Sequence, residues 1–464
     1  MFIYLPVVLF LYYISPVRWR NPILFVANLV FYGWGEPVFI VLMLLSITVN
    51  YINGMLIGRW RIEKQKKAKA VLVINVVINL ALLGFFKYYD LIAETLSLLP
   101  FIDIKPLGIA LPIGISFYTF QTMSYPIDVY RGDADVQRNY ISFGTFVALF
   151  PQLIAGPIVR YKDVANQLGF RASSIDQFSS GVERFMVGLA KKVLVANNLG
   201  KLWDYYAAIP AGELTFLGSW LGIAAFTLQI YFDFSGYSDM AIGLGRMIGF
   251  EFKENFNYPY ISKSVTEFWR RWHMSLGTWF RDYVYIPLGG SRRGNRYLNL
   301  IITMALGGLW HGSNIRFLVW GVMHGVGLAV VHAFHELKKR FWPDGFTPSP
   351  ALHWCGVGAA WLLTFHFVSF LWVFFRAEDM ERSLEILRRV FVFGQPGEGF
   401  PLLVIPAVLI GLALQFFGAR LFAAFVDAQE RLPWAVQAVV LALVGGFILK
   451  MGPDGVMPFI YFQF

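Results

Sequence analysis

The sequence is poor in charged residues and in cysteine. Only 15% of its 464 residues are charged and 57% are hydrophobic, against about 25% charged residues in an ordinary soluble domain. This balance excludes a soluble enzyme. The single cysteine, Cys355, excludes an intrachain disulfide, and we interpret it as a small buried side chain. No repeat, low-complexity tract or polar block of domain size interrupts the chain, which predicts one integral membrane domain over residues 1–464.

Acidic residues are also fewer than basic ones, 29 against 39. In a soluble protein this surplus would suggest nucleic-acid binding, but the positive-inside rule explains it here. We therefore expect contact with membrane lipid and none with nucleic acid. Residues 59–69 carry six basic side chains and one acidic one, which predicts a cytoplasmic loop. A hairpin turn at residues 35–37 then puts the amino terminus outside, and beyond about residue 140 the sequence leaves the topology open.

Apolar runs recur along the chain at residues 2–15, 22–34, 37–58, 71–88, 107–124, 140–157, 181–197, 214–232, 297–311, 315–334, 355–375, 401–418 and 434–450. Several are shorter than the roughly 20 residues that a membrane span needs, and proline and glycine interrupt others near residues 111–114 and 150–157. Broken backbone at membrane depth persists only when it is buried in protein or lines a wet cavity. We predict an all-α polytopic membrane protein of about 10–12 helices, with re-entrant and interfacial segments around a central chamber.

Residues 268–283 combine aromatic side chains with arginines. At 100° per residue, the aromatic and apolar side chains of this stretch fall within about a third of the circle, whereas Arg270, Arg271 and Arg281 lie on the other side. This distribution predicts a helix that lies in the membrane interface. His273 falls at the edge of the apolar arc, so we expect it to face a neighbouring segment.

Seven histidines are present, and a titratable group within a membrane is a functional candidate by default. His311 closes an apolar run and is followed by Gly312, which predicts a helix end with the imidazole facing a cavity. Desolvation keeps such a ring neutral, the state that a general base requires; the alternative is a histidine that only hydrogen-bonds a broken helix. His324 either returns to the same chamber or packs in the core. We interpret the remaining four, other than His273, as structural: His332, His335, His353 and His366.

An apolar run contains three polar residues that could not face lipid: Asp233, Ser235 and Asp239. Their side chains must therefore contact protein or water. The two carboxylates orient a histidine or fix a positive group; alternatively, the run is a hydrogen-bonded bend at Gly236. The sequence contains no His-x-x-x-His and no Glu-x-x-His pair. We therefore predict no metal site.

Two motifs dominate the middle of the chain. The first is Phe268-Trp269-Arg270-Arg271-Trp272-His273-Met274-Ser275-Leu276 and the second is Gly308-Leu309-Trp310-His311-Gly312. Together with Pro112-Ile113-Gly114-Ile115-Ser116-Phe117-Tyr118, Ile154-Ala155-Gly156-Pro157, the 233–239 run and Asn255-Phe256-Asn257-Tyr258-Pro259-Tyr260-Ile261-Ser262, they resemble the membrane-bound O-acyltransferase family. The likeness covers nearly the whole chain. It implies that family's fold, with a tunnel through the membrane core, His311 as the catalytic residue and His273 as its partner.

The resemblance is strongest to a bacterial subgroup that O-acetylates polymers outside the cell. It implies transfer of acetyl from cytosolic acetyl-CoA, across the bacterial inner membrane, to hydroxyls of a polysaccharide by way of a separate extracytoplasmic acetyltransferase. An alginate-type exopolysaccharide is the first expectation, with cellulose or peptidoglycan as alternatives. Arg270, Arg271 and Arg281 are candidates to meet the phosphates of coenzyme A, although positive-inside bias also explains them. A secondary transporter is the rival interpretation, because transporters also place His and Asp on broken membrane helices.

Overall fold

The computed structural model describes residues 3–99, 101, 103–341, 349–394, 404–452 and 459–460. Within these residues the chain is helical and has no β-strand, which confirms the predicted all-α class. The α-helices in chain order are α1 (Tyr4–Ile14), α2 (Val17–Gly35), α3 (Ile40–Trp60), α4 (Gln65–Leu96), α5 (Ile115–Arg131), α6 (Tyr140–Ala148), α7 (Tyr161–Gly169), α8 (Ile175–Ala190), α9 (Asn197–Ala208), α10 (Phe216–Met247), α11 (Val265–Trp269), α12 (Met274–Phe280), α13 (Arg296–His311), α14 (Ile315–Phe341), α15 (Pro350–Arg376), α16 (Met380–Arg389), α17 (Val404–Glu430) and α18 (Trp434–Lys450). Two π-helical segments, Lys191–Ala196 and Arg281–Tyr285, continue α8 and α12.

In the part of the chain that the structure describes, five helices are long and apolar enough to cross a membrane: α3, α4, α14, α15 and α17. Two shorter apolar helices, α1 and α18, add to them. These helices confirm the predicted polytopic membrane class, while the number of crossings and the central chamber stay predictions. Cys355 is exposed on α15, so its interpretation as a buried side chain is wrong.

The helix ends near the amino terminus lie at the turn and at the basic stretch predicted from the sequence. Helix α2 ends at Gly35 and α3 begins at Ile40, so the break predicted at residues 35–37 is confirmed. Helix α3 ends at Trp60 and α4 begins at Gln65, which places the basic stretch 59–69 around the turn between two candidate spans. Basic residues concentrate at the cytoplasmic ends of membrane helices. The side of the membrane on which this turn lies stays a prediction.

The backbone is broken where proline and glycine interrupt the apolar runs. Residues 149–160 are not helical, and all of them except Ile154 are buried. Gly114 precedes α5 with φ +77°, and a Cβ at this position would lie 2.8 Å from the carbonyl oxygen of Leu153. Only glycine combines the left-handed backbone with this close approach. The broken segments are therefore packed within protein, as such backbone requires.

The chain divides into two compact units, Met1–Phe185 with Ser238–Lys253 and Met186–Tyr237 with Glu254–Phe464. In the first unit, buried asparagines join α3 to α4: Asn50 donates to Asn79 at 3.0 Å and accepts from Asn75 at 3.0 Å. Hydrogen bonds of this kind hold neighbouring membrane helices together. The prediction of one membrane domain over residues 1–464 stays a prediction.

In the second unit, α13 and α14 pack backbone against backbone. A Cβ at Gly308 would lie 2.1 Å from the carbonyl oxygen of Phe317, and a Cβ at Gly321 would lie 2.3 Å from that of Met304. Small residues permit this close crossing of membrane helices. The crossing fixes the carboxyl end of α13, where His311 lies.

Candidate active site

His311 is the last residue of α13, so the predicted helix end is confirmed. Gly312 follows it with extended backbone, φ −161°, and left-handed geometry is therefore not the reason for this glycine. A Cβ at Gly312 would lie 2.1 Å from the ring of Phe317. The glycine is needed because that ring fills the space where the chain turns from α13 into α14.

Aromatic rings surround His311. The centroid of its imidazole lies 4.8 Å from that of Trp310, 5.2 Å from that of Trp320 and 5.1 Å from that of Phe375. Trp310 and Trp320 are buried, whereas His311 is only half-buried. The imidazole is thus held by rigid apolar walls and keeps part of its surface accessible, as a group that meets a substrate must.

The stretch 268–283 is not one helix, and this part of the prediction is wrong. Helix α11 ends at Trp269 and α12 begins at Met274, with His273 between them in a left-handed conformation, φ 44°. Such a backbone is unfavourable for a residue with a Cβ, and it turns the imidazole inward. His273 is completely buried rather than at the edge of an interfacial helix.

Asn255 fixes the protonation pattern of His273. Its Oδ1 lies 3.1 Å from Nδ1 of His273, and a carbonyl oxygen only accepts, so Nδ1 carries the proton and donates. Nε2 of His273 then holds a lone pair, and it has no hydrogen-bond partner among the described residues. Burial also lowers the pKa of this imidazole to about 3. His273 is therefore neutral at physiological pH, with Nε2 as a hydrogen-bond acceptor.

Trp310 connects the two predicted catalytic residues. The centroid of its ring lies 6.2 Å from that of His273 and 4.8 Å from that of His311. The structure therefore brings the predicted pair together on one indole, although the two residues are 38 positions apart in the sequence.

His324 lies in the same aromatic cluster. It is completely buried on α14, and its ring centroid lies 4.8 Å from that of Trp320. The indole Nε1–H of Trp269 donates to its Nδ1 at 3.3 Å, so the proton of the neutral ring is on Nε2. Nε2 has no hydrogen-bond partner in the described ranges. His324 thus has the opposite tautomer to His273 and shares Trp320 as a neighbour with His311, which favours the site over a role in the core alone.

The three candidate arginines differ in their surroundings. Arg271 donates to the carboxylate of Glu267 at 3.0 Å and to the carbonyl oxygen of Asn257 at 3.1 Å, which ties it to its own segment. Arg281 pairs with Asp282 at 2.8 Å. Arg270 is exposed, three residues before His273. Of the three, Arg270 keeps the most freedom to meet an anionic ligand.

The buried carboxylates of α10 fix positive groups, one of the predicted alternatives. Asp233 forms an ion pair with Lys192 and accepts from the backbone N–H of Ile460 at 2.7 Å. Asp239 accepts from Arg184 at 2.8 Å. Ser235, two positions after Asp233, is buried. Its hydroxyl has no hydrogen-bond partner within the described segments.

The predicted bend at Gly236 is wrong, because α10 runs without a break from Phe216 to Met247. A Cβ at Gly236 would lie 2.8 Å from the carbonyl oxygen of Gly188. The glycine permits close packing against α8 rather than a change of direction.

We expect Lys192→Met to lower the free energy of unfolding by about 3–5 kcal/mol, because it leaves the buried carboxylate of Asp233 without its cation. The double variant Lys192→Met with Asp233→Asn should recover most of this loss, since the amide oxygen still accepts from Ile460. Thermal unfolding in detergent measures both. Arg431→Met, which removes an exposed pair with Asp427, serves as the control and should cost less than about 1 kcal/mol. A double variant as unstable as the single one would contradict a role of Asp233 as the counter-ion of Lys192.

Sequence reasoning gave no role to Asn255, Trp269 or Trp320, although all three contact the histidines of the site. Asn255 belongs to the 255–262 motif, and membership of this motif was the only indication in the sequence that Asn255 has a role in the site. Trp269 and Trp320 carry the same apolar pattern as core residues. Their contacts depend on how α11 and α14 meet, which periodicity does not encode.

Comparisons with known proteins identify the family of this chain. The model of the membrane-bound O-acyltransferase family matches residues 115–375, a range that contains every predicted site residue from Asp233 to His324. The match favours the acyltransferase interpretation over the secondary transporter.

The chain is 42% identical to a probable alginate O-acetylase of Pseudomonas putida, covering 100% of this chain and 98% of the relative. It is 34% identical to a peptidoglycan O-acetyltransferase of Helicobacter pylori over 83% of this chain and 77% of the relative. A teichoic acid D-alanyltransferase of Bacillus subtilis is 28% identical over 56% of this chain and 67% of the relative. The extent of these matches, with the geometry around His311, shows that the chain belongs to the membrane-bound O-acyltransferase family.

Proposed function

We propose that this acyltransferase moves acetyl groups from cytosolic acetyl-CoA across the bacterial inner membrane to hydroxyls of an alginate-type exopolysaccharide. A separate extracytoplasmic acetyltransferase completes the transfer to the polymer. Similarity to an alginate O-acetylase over the whole chain supports the acceptor class. The lower similarity to a peptidoglycan O-acetyltransferase makes peptidoglycan the second acceptor to test.

The half-buried imidazole of His311 is the observation that carries the proposal. It stands at a helix end between Trp310, Trp320 and Phe375, next to two neutral histidines whose tautomers are fixed. Aromatic walls exclude bulk water, which strengthens polar interactions with a bound substrate. This setting is suited to a neutral general base.

Acyl transfer from a thioester requires a base and hydrogen-bond donors. His311 takes the proton of the attacking hydroxyl as its oxygen bonds to the thioester carbonyl carbon. The negative charge that develops on the carbonyl oxygen needs donors, and the Nε2–H of His324 and the indole N–H of Trp320 are buried donors in the same cluster. When the intermediate collapses, the carbon–sulfur bond breaks. The thiolate then receives the proton from His311 and leaves as free coenzyme A.

We expect Arg270→Gln to raise KM for acetyl-CoA about tenfold with little change in kcat, because a charge-assisted hydrogen bond to a phosphate contributes about 1.5–3 kcal/mol. Initial rates at varied acetyl-CoA concentration measure both constants. Arg431→Gln, at an exposed position just after the end of α17, is the matched control and should leave KM unchanged. An unaltered KM for Arg270→Gln would show that this side chain does not meet the donor.

Membranes that contain the protein and its partner acetyltransferase, supplied with acetyl-CoA labelled in the acetyl group, test the proposed function. We expect release of free coenzyme A and alkali-labile label on unacetylated alginate oligosaccharides, with less on peptidoglycan fragments or cellulose oligomers. Preferential labelling of peptidoglycan or cellulose would contradict the acceptor. Equal label from acetyl phosphate would contradict acetyl-CoA as the specific donor.

A further inference from the structure

We propose that Asn255 is a positioning residue that acts through His273, fixing its Nδ1–H tautomer so that Nε2 accepts a hydrogen bond from a donor on the bound substrate other than the hydroxyl whose proton goes to His311. The inference rests on the proposed function and deepens it, because it assigns a role to a residue outside the two histidine motifs. Asn255 and His273 are both completely buried. The contact between them spans 18 positions of sequence.

The amide atom of Asn255 that faces His273 is the oxygen. The oxygen and nitrogen of an asparagine side chain are distinguished by their hydrogen-bond partners. The backbone N–H of Ser275 lies 3.2 Å from the same atom that faces His273. A backbone N–H only donates, so this atom is Oδ1, and the hydroxyl of Ser275 donates to it as well at 2.8 Å.

This oxygen determines which nitrogen of the His273 imidazole is protonated. Since Oδ1 of Asn255 only accepts, Nδ1 of His273 must carry a proton. A neutral imidazole has one N–H, so Nε2 is bare and basic. This is the arrangement by which a catalytic histidine is commonly oriented, with an acceptor on one nitrogen and the reacting proton at the other.

Backbone hydrogen bonds hold His273 rigidly in place. The backbone N–H of Met274 donates to the carbonyl oxygen of Asn255 at 2.9 Å, and the N–H of Asn257 donates to that of Arg271 at 2.9 Å. These two bonds join the 255–257 segment to the break between α11 and α12. They hold His273 in its left-handed conformation, whose cost the packing must offset. The segment therefore determines both the place of the imidazole and its tautomer.

One nitrogen of the His273 ring is left without a hydrogen bond. Its ring packs against Phe234, with centroids 4.7 Å apart, and against Phe256, with centroids 6.3 Å apart. Neither phenyl ring offers a conventional donor, and the indole of Trp310, with its centroid 6.2 Å away, does not bond this ring either, because Nε2 has no hydrogen-bond partner among the described side chains and backbone. A buried acceptor without a partner is costly. A second polar group of the bound substrate, distinct from the hydroxyl that His311 deprotonates, supplies the missing donor.

A double-mutant cycle between Asn255 and His273 tests the role. We expect Asn255→Leu to lower kcat about 10²-fold in the natural protein. In a His273→Gln background the same substitution should lower kcat less than about twofold, because Asn255 acts only through His273. Equal losses in both backgrounds would overturn the proposal, since a merely structural role acts in either. Asn198→Leu, at an exposed asparagine on α9, is the matched control and should keep kcat.

Two further measurements keep the proposal falsifiable if Asn255→Leu does not fold. Asn255→Asp retains an acceptor oxygen and should keep a larger part of the activity than Asn255→Ala; an Asp variant no better than Ala would overturn the assignment. Nitrogen-15 spectra of ring-labelled histidine in the detergent-solubilised protein, with His273→Gln to identify the signals, should show a protonated Nδ1 and a bare Nε2. The opposite tautomer would overturn the proposal. This spectrum needs no acyl transfer, so it separates failure of this inference from failure of the proposed function.

Discussion

His311→Ala should reduce acetyl transfer by about 10³-fold or more, beyond detection in most assays. The expectation follows from its place at the end of α13, where a half-buried imidazole stands between Trp310 and Trp320. A positioned general base contributes about 10² to 10⁴-fold in rate. Alanine leaves no group to take the hydroxyl proton. Release of coenzyme A and labelled ester from labelled acetyl-CoA gives the rate.

The matched control is His335→Ala. His335 is exposed on α14, and its Nδ1–H donates to the carbonyl oxygen of Val331 at 2.7 Å, as expected of a structural histidine. This variant should keep the natural rate, and both variants should unfold at nearly the natural temperature. If the His311→Ala protein is folded and turns over within tenfold of the natural rate, His311 is not the base.

Gly308→Ala should lower the free energy of unfolding by several kcal/mol and reduce the rate about 10²-fold. The added Cβ would lie 2.1 Å from the carbonyl oxygen of Phe317 and 3.2 Å from Cα of Gly321. Both are backbone atoms, so α13 and α14 must separate. Overpacking of this kind typically costs about 1–3 kcal/mol or more. A displacement near 1 Å, three residues from His311, is enough to cost about 10²-fold in rate.

The neighbouring residue provides the control. A Cβ at Gly307 would make only ordinary contact with the ring of Phe280, at 3.8 Å. Gly307→Ala should therefore be neutral or stabilise α13 by up to about 1 kcal/mol through helix propensity. Thermal unfolding and the labelled-ester assay compare the two alanine variants. Equal stability of the pair would contradict the close crossing of α13 and α14.

Some features of the fold could be predicted because they depend on local chemistry. The turn between α3 and α4 follows from the basic cluster at residues 59–69, and the end of α13 follows from an apolar run closed by Gly312. The broken backbone at residues 149–160 follows from its two prolines and its glycine, Pro151, Pro157 and Gly156. In each case a few adjacent residues exclude the alternative conformation.

The inward turn at His273 could not be predicted in the same way. The helical periodicity of residues 268–283 depends only on which side chains are apolar. It therefore gives no sign that the backbone of His273 is left-handed, with φ 44°. The bonds that hold this residue come from Asn255 and its neighbours, 16 or more positions earlier. A long-range partner thus overrides a strong local pattern.

The role of the polar residues of α10 also depended on distant partners. The sequence indicated that Asp233 had to be buried with protein or water, but not that its partners are Lys192 and the backbone of Ile460. The sequence likewise did not identify the partners of Arg271. This side chain donates to the nearby carboxylate of Glu267 and to the carbonyl oxygen of Asn257, so it belongs to the scaffold. Residue type predicts the need for a partner, and the fold determines which one is used.

Sealed inside-out membrane vesicles offer the most direct test of whether His311 links a cytosolic thioester to an alcohol on the other side. Labelled acetyl-CoA is added to the exposed cytoplasmic face, and alkali-labile label is measured on polysaccharide trapped in the lumen. We predict luminal ester in vesicles that contain the natural protein and its partner acetyltransferase, and none in vesicles that contain the His311→Ala variant and the same partner. Label confined to acceptors on the cytoplasmic face, or luminal ester unchanged in the His311→Ala vesicles, would contradict the account.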